Sequence, residues 1–215
     1  IVGNVYGEIE PIKGLKNRST LGSKLSFWGH ESFTPVYYLN AVMQRAQNDF
    51  TRGTNRGFDW NLENTISYQY SLQDHNFMAL IGQGAYYDNR ARGINVTYFD
   101  IPVNNFDDAS LNYTIPADQK NSSGYENVGH TVSSLFARLN YNYKEKYLVE
   151  GLIRRDGSSR FGSNNKYGVF PSFSLGWVVS KEDFLMDNPN ISMLKIRGGY
   201  GVVGNDNIGD FAYLS

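Results

Sequence analysis

The stretch YGVFPSFSLGWVVS, from Tyr167 to Ser180, decides the fold. In an extended chain Tyr167, Val169, Pro171, Phe173, Leu175, Trp177 and Val179 fall on one face, and Gly168, Ser172, Ser174, Gly176 and Ser180 on the other. Side chains alternate across a strand with a period of two, so this is a β-strand with one apolar face and one small, polar face. Immediately upstream, RRDGSSRFGSNNK (Arg154 to Lys166) supplies the charges, glycines and asparagines of a hydrogen-bonded turn.

The same alternation recurs. In WNLENTISYQYSL, Trp60, Leu62, Ile66, Tyr68, Tyr70 and Leu72 oppose Asn61, Glu63, Thr65, Ser67, Gln69 and Ser71, with only Asn64 breaking the apolar row. In LFARLNYNYK, Leu135, Ala137, Leu139, Tyr141 and Tyr143 oppose Arg138, Asn140, Asn142 and Lys144, with Phe136 on the polar side. Weaker strands read at Ile1–Ile9, Leu15–Trp28, Phe77–Tyr87, Tyr147–Arg155 and Met193–Val202. The pattern predicts about eight strands of roughly nine to fourteen residues, near the ~9–11 needed to cross a bilayer at a tilt and longer than the ~5–6 of globular sheets.

The connections alternate too. Short links at Pro11–Gly14, Gln73–Asn76 and Lys144–Lys146 are interleaved with long ones at Gly29–Phe58, Asp88–His130 and Asp156–Lys166, while Lys181–Ser192 falls on the short side with room for one helical turn. Tight turns at one end and long loops at the other are what outer-membrane barrels require. Tyr143, Tyr147, Tyr167, Tyr200, Trp60 and Trp177 lie at or near strand ends, where aromatic girdles meet lipid headgroups. The fold class expected is all-β: an antiparallel transmembrane β-barrel segment with short periplasmic turns and long extracellular loops.

Composition agrees. Aromatics make up 15% of the 215 residues, with 16 tyrosines and 13 phenylalanines, a mix that favours strands. The formal net charge of −1 offers no field to attract nucleic acid. The absence of cysteine removes disulfides, thiolate zinc sites and cysteine nucleophiles together. No apolar run is long enough for a transmembrane helix, and a mean hydropathy of −0.46 is what alternating barrel strands average to. IVGNVYGEIE at the start carries neither Met nor a signal peptide and reads as a strand already under way, so the chain is expected to be a piece of something longer.

The segment FARLNYNYKEKYLVEGLIRRDGSSRFGSNNKYGVFPSFSLGWVVSKEDF, followed by LKIRGGYGVVGN, resembles the barrel of SusC/RagA-type TonB-dependent outer-membrane transporters. YGEIEPIKGLKNRSTLG (Tyr6 to Gly22) resembles it more loosely. The resemblance implies that residues 1–215 are part of a barrel of about 22 strands, with the N-terminal plug and TonB box lying outside this sequence. It implies a bacterial outer-membrane location, a SusD-type surface lipoprotein as partner, and import of oligosaccharides or peptides with energy delivered by TonB. No cofactor and no enzymatic activity are expected. The competing readings are a soluble carbohydrate-binding β-sandwich and a small outer-membrane enzyme.

Candidate substrate contacts follow from chemistry. Arg154, Asp156 and Arg160 in RRDGSSRFG present guanidinium forks that suit carboxylates or hydroxyls, or alternatively brace the loop. Tyr86, Tyr87, Asp88, Arg90 and Arg92 open the long connection, offering rings to stack on sugars and polar groups to bond their hydroxyls. Asp100, Asp107 and Asp108 lack the alternate-ligand spacing of a calcium loop. His30, His75 and His130 are too far apart in sequence for a local zinc site or triad. GGYGVVGN precedes no helix pattern and reads as a strand leaving the wall.

Overall fold

The computed structural model describes residues 1–88, 90–186 and 188–209. Two compact units emerge: one from residues 1–2, 24–59 and 88–129, the other from residues 3–23, 60–87 and 130 onward. Strands carry almost everything. In chain order they are β1 (Val2–Ile12), β2 (Leu15–Thr34), β3 (Tyr37–Tyr38), β4 (Gln44–Arg45), β5 (Asp49–Leu72), β6 (His75–Asp88), β7 (Ala91–Phe99), β8 (Lys120–Glu126), β9 (His130–Tyr143), β10 (Tyr147–Ser158), β11 (Tyr167–Val178) and β12 (Lys195–Gly201).

One sheet follows the order β1-β2-β5-β6-β9-β10-β11-β12, so the eight strands expected from the pattern are neighbours in chain order. β7 pairs with β5 and β8, and β3 pairs with β4 in a separate two-stranded sheet. The registers are antiparallel, with Tyr147 opposite both Tyr143 and Trp177. A short turn of Lys13 and Gly14 joins β1 to β2. Gly14 has φ +86°, and a Cβ there would strike the Gln69 carbonyl, so only glycine fits. The turns are tied laterally to their neighbours: Gly14 O accepts from Gln69 N–H of β5 at 2.8 Å, and Lys144 N–H donates to Asp74 O of the β5–β6 turn at 2.9 Å.

The connections expected at Gly29–Phe58 and Asp88–His130 are not plain loops. β2 runs on to Thr34, β5 begins at Asp49, and β7 and β8 fold from the second connection. Backbone N–H and C=O groups of the long β5 need partners, and GINVTYF (Gly93 to Phe99) supplies a β-branched and aromatic strand to meet them. This unit has its own small core of Phe50, Ile101 and Ile115, ringed by Phe33, Tyr98, Val103 and Leu111. The buried Asn48 side chain pins the chain beside it. Its Nδ2 donates to Ile101 O at 3.0 Å and Val103 O at 2.7 Å, and its Oδ1 accepts from Ile101 N–H at 2.8 Å.

The other unit has almost no apolar interior. Phe173 and Leu175 are each 55% exposed although β11 is hydrogen-bonded on both sides, and Ile66, Ile81, Leu135, Leu139 and Ile153 stand on equally open faces. No second sheet covers them among the described residues, which departs from the core of a soluble sandwich. Aromatics bound this apolar face. One row holds the register partners Tyr70 and Phe77, then Tyr141, Tyr143, Tyr147 and Trp177. Its rings are in contact, Phe77 to Tyr141 at 4.9 Å and Tyr143 to Tyr147 at 6.3 Å. A second row holds the register partners Trp60 and Tyr87, 6.2 Å apart, and Tyr167. Trp60 and Tyr70, Phe77 and Tyr87, and Tyr167 and Trp177 are each ten residues apart. Tyr200, expected in a girdle, instead lies opposite Phe173, away from both rows.

Glu182, just past the 3₁₀ turn Val179–Lys181, gathers the polar tips of the first row. Its Oε1 accepts from Tyr147 OH at 2.6 Å and Trp177 Nε1 at 3.0 Å, and its Oε2 accepts from Lys146 Nζ at 3.2 Å. The hydrogen bonds from Tyr147 and Trp177, aided by Lys146 and opposed by desolvation, pull the Glu182 carboxyl down to about 2 from 4.5.

Two outcomes test this arrangement. Phe50→Ala is expected to cost roughly 3–5 kcal/mol by denaturant titration in detergent, with the slope of the transition unchanged. A depressed carboxyl stabilises the fold above its ordinary value and loses that contribution as the pH falls through its folded value. Tryptophan fluorescence of the wild type should therefore change between pH 4.5 and about 2 in a way that Glu182→Gln does not. Superimposable titrations would show that the carboxylate does not hold the aromatic row.

Candidate functional site

The small, polar face of β5, β6, β9 and β10 carries a cluster of polar side chains. Arg154 is its centre. Its Nε donates to both carboxylate oxygens of Asp156 at 2.7 and 2.8 Å, and its Nη2 donates to Ser134 Oγ at 2.9 Å. Tyr86 lies beside the same guanidinium, and its hydroxyl donates to Glu63 Oε2 at 3.3 Å. The register explains the meeting: Ser134 lies opposite Asp156, Phe136 opposite Arg154, and Glu63 opposite Gly84, next but one to Tyr86. A strand displays every second residue on one face, so these groups converge without any loop.

Glycines make room for rings on this face. A Cβ at Gly82 would strike the Phe136 ring, one at Gly84 would lie 2.9 Å from Tyr86, and one at Gly168 would lie 2.6 Å from Phe170. The rings therefore lie flat against the wall. Arg154 sits 5.7 Å from the centroid of Phe136, a cation–π arrangement that adds to its fixing. The surface that results is a wall of amides, hydroxyls and flat aromatic faces.

The residues singled out in the sequence divide among several places. Tyr86, Arg154 and Asp156 come together. Tyr87 points to the opposite, apolar side beside Trp60. Arg160 joins another cluster, its Nη1 donating to Asp206 O at 3.2 Å, where His130 Nε2 lies 3.0 Å from both Asp206 Oδ2 and Ser158 Oγ. One imidazole nitrogen faces both partners, whereas a serine–histidine–acid relay needs the two nitrogens to divide those tasks. Asp88, Arg90 and Arg92 belong to the other unit, where Arg90 Nη2 pairs with Glu126 at 3.4 Å. Among the described residues no group of His, Asp and Glu is arranged to hold a metal ion.

Sequence reasoning missed Glu63, Ser134 and Phe136 as members of the cluster. The signal was present in part: Arg154 and Asp156 stand two apart on one strand face, and Phe136 was a bulky apolar residue on a polar side.

No family model matches the chain. TonB-dependent receptor P39 of Formosa agariphila is 34% identical over 217 residues, covering 98% of this chain and 20% of the relative. TonB-dependent receptor SusC of Bacteroides thetaiotaomicron is 50% identical over 86 residues, covering 40% of this chain and 9% of SusC. A solved structure described as the RagAB peptide transporter superposes with a TM-score of 0.76 at 21% identity, covering 98% of this chain and 23% of that one. The fold is thus shared with the matching part of that structure, and the chain spans about a fifth of the length of the curated relatives it matches along nearly all of itself. With the exposed apolar face and the order of its strands, these likenesses make the chain a segment of a SusC/RagA-type TonB-dependent transporter.

Proposed function

We propose that the chain is part of the wall of a bacterial outer-membrane importer that takes up nutrients such as oligosaccharides or peptides. TonB supplies the energy, and a SusD-type surface lipoprotein captures the substrate over the barrel mouth. One observation carries this reading: a sheet whose inner strands are paired on both sides exposes an apolar face bounded by two aromatic rows. Ten residues of strand span about 34 Å, and a tilt of ~35–45° reduces that to about 25 Å, the height of the apolar band in outer-membrane barrels. The apolar face then meets lipid and the polar face lines the passage.

In this reading the wall around Tyr86, Arg154 and Asp156 meets the substrate. The ring faces of Tyr86, Phe136 and Phe170 offer flat apolar contact, and the Asp156 carboxylate and Tyr86 hydroxyl offer hydrogen bonds. Arg154, with both Asp156 oxygens and Ser134 already engaged, acts as the brace that holds these groups in register. Arg160 braces the turn before β11 in the same manner. The sandwich alternative needs Phe173 and Leu175 in a dry interior, and their exposure gives it no support.

Leu175→Arg is expected to destabilise the protein in lipid by about 2–4 kcal/mol if the residue sits near the midplane. An unchanged folding titration in bilayers would remove the lipid-facing assignment. Arg154→Ala is expected to cost about 1–3 kcal/mol because it leaves Asp156 without its main partner, and Arg154→Lys should restore little, since an ammonium cannot reproduce the fork. In cells carrying the full-length transporter, uptake of labelled oligosaccharide or peptide should vanish on deletion of TonB. Undiminished uptake would reject the import mechanism.

A further inference from the structure

The unit built from β5, β7 and β8 holds two arginines in an unusual relation. Arg56 on β5 is the direct register partner of Arg92 on β7, and Arg92 in turn lies opposite Glu126 on β8. Directly opposed like charges destabilise an antiparallel pair. Glu126 is drawn to Arg90, and among the described residues neither Arg56 nor Arg92 has an ion pair or a side-chain hydrogen bond. Both line an open cavity of about 630 Å³ with Phe27, Thr54, Ile94 and Glu126.

The neighbours of the two guanidiniums define what fits. Thr54, Arg56 and Phe58 alternate onto one face of β5, and Arg92 and Ile94 share it by register. Phe27 is 66% exposed, Ile94 60% and Phe58 44%. A free inorganic anion gains nothing from such surroundings, whereas an amphiphile gains apolar contact as well as charge. Two forks on adjacent strands match the several acceptor oxygens of a phosphate, which relieves the repulsion between them.

We propose that this face binds a phosphate-bearing lipid, its phosphate bridging Arg56 and Arg92 and its hydrocarbon lying against Phe27, Ile94 and Phe58. The site is separate from the wall around Arg154 and does not depend on what the transporter carries. Specificity comes from the joint demand for a phosphate and a chain. A zwitterionic lipid lacks the net charge, and inorganic phosphate lacks the chain.

The test uses the protein purified in a nonionic detergent, titrated with dihexanoyl phosphatidic acid, dihexanoyl phosphatidylcholine and inorganic phosphate, with binding read by phosphorus NMR line broadening. Phosphatidic acid should bind about tenfold or more tightly than either of the others, and Arg56→Gln/Arg92→Gln should lose at least that factor. Phe27→Ser/Ile94→Ser should weaken the lipid severalfold while leaving inorganic phosphate unchanged. Without lipid, the double arginine variant should melt no lower than the wild type, since it removes a repulsion, so lost binding is not lost fold. Equal binding by wild type and the double arginine variant would overturn the proposal. So would equal binding of phosphatidic acid and inorganic phosphate, which marks a free-anion site, or of phosphatidic acid and phosphatidylcholine, which marks apolar adsorption alone.

Discussion

A strand whose backbone is paired on both sides has only its two faces left to satisfy, and β11 is the clearest case. β10 and β12 take up its hydrogen bonds, while Phe173, Leu175 and Val169 remain uncovered on one side. A contiguous apolar surface of this extent is unfavourable in water. Apart from Phe170, its counterpart side is built of Gly168, Ser172, Ser174 and Gly176, too small to make a core. Among the described residues these strands therefore have little hydrophobic interior to drive their folding, and the proposed lipid environment takes over the part that a core plays elsewhere. In that medium an unmatched N–H or C=O costs several kcal/mol, which makes the ladder obligatory.

Smallness on the polar face has a second consequence. Where Gly82, Gly84 and Gly168 leave no Cβ, the rings of Phe136, Tyr86 and Phe170 settle against the backbone. Rings held flat lose little further freedom when something stacks on them, so a wall of this kind is organised before any ligand arrives. Arg154 adds to the same order. It bridges β9 and β10 through Ser134 and Asp156, and its position over Phe136 fixes both charge and ring.

Much of this was legible from the residues. The period of two located all eight strands of the main sheet path, because an apolar row such as Leu135, Leu139 and Tyr143 permits only one register once a face is committed. Turn chemistry at Gly14 and at Lys144–Lys146 marked the short connections. The long connections were less transparent. Ile94, Val96 and Tyr98 do alternate, but they sit among Arg, Asn and Asp residues that read equally well as loop, and only the unsatisfied edge of β5 makes them a strand. The site was legible where its members share a strand, as Arg154 and Asp156 do. It was hidden where pairing across strands decides, as for Ser134 and Glu63, or where the partners are remote in sequence, as for Arg160 and Asp206.

The two units carry the same physics to different ends. Around Phe50 the chain makes a small ordinary core and uses a buried amide, Asn48, to staple the segment from Asp100 to Val103. Along β9, β10 and β11 it makes none, and order comes from the ladder, the aromatic rows and the carboxylate of Glu182. An apolar substitution on the outer face of β11 should then be tolerated far better than a polar one, whereas at Phe50 shape matters as much as polarity. Tolerance to Phe173→Leu together with sensitivity to Phe50→Leu would follow from packing density alone, because a lipid tail refills the space that a smaller side chain leaves and a protein interior does not.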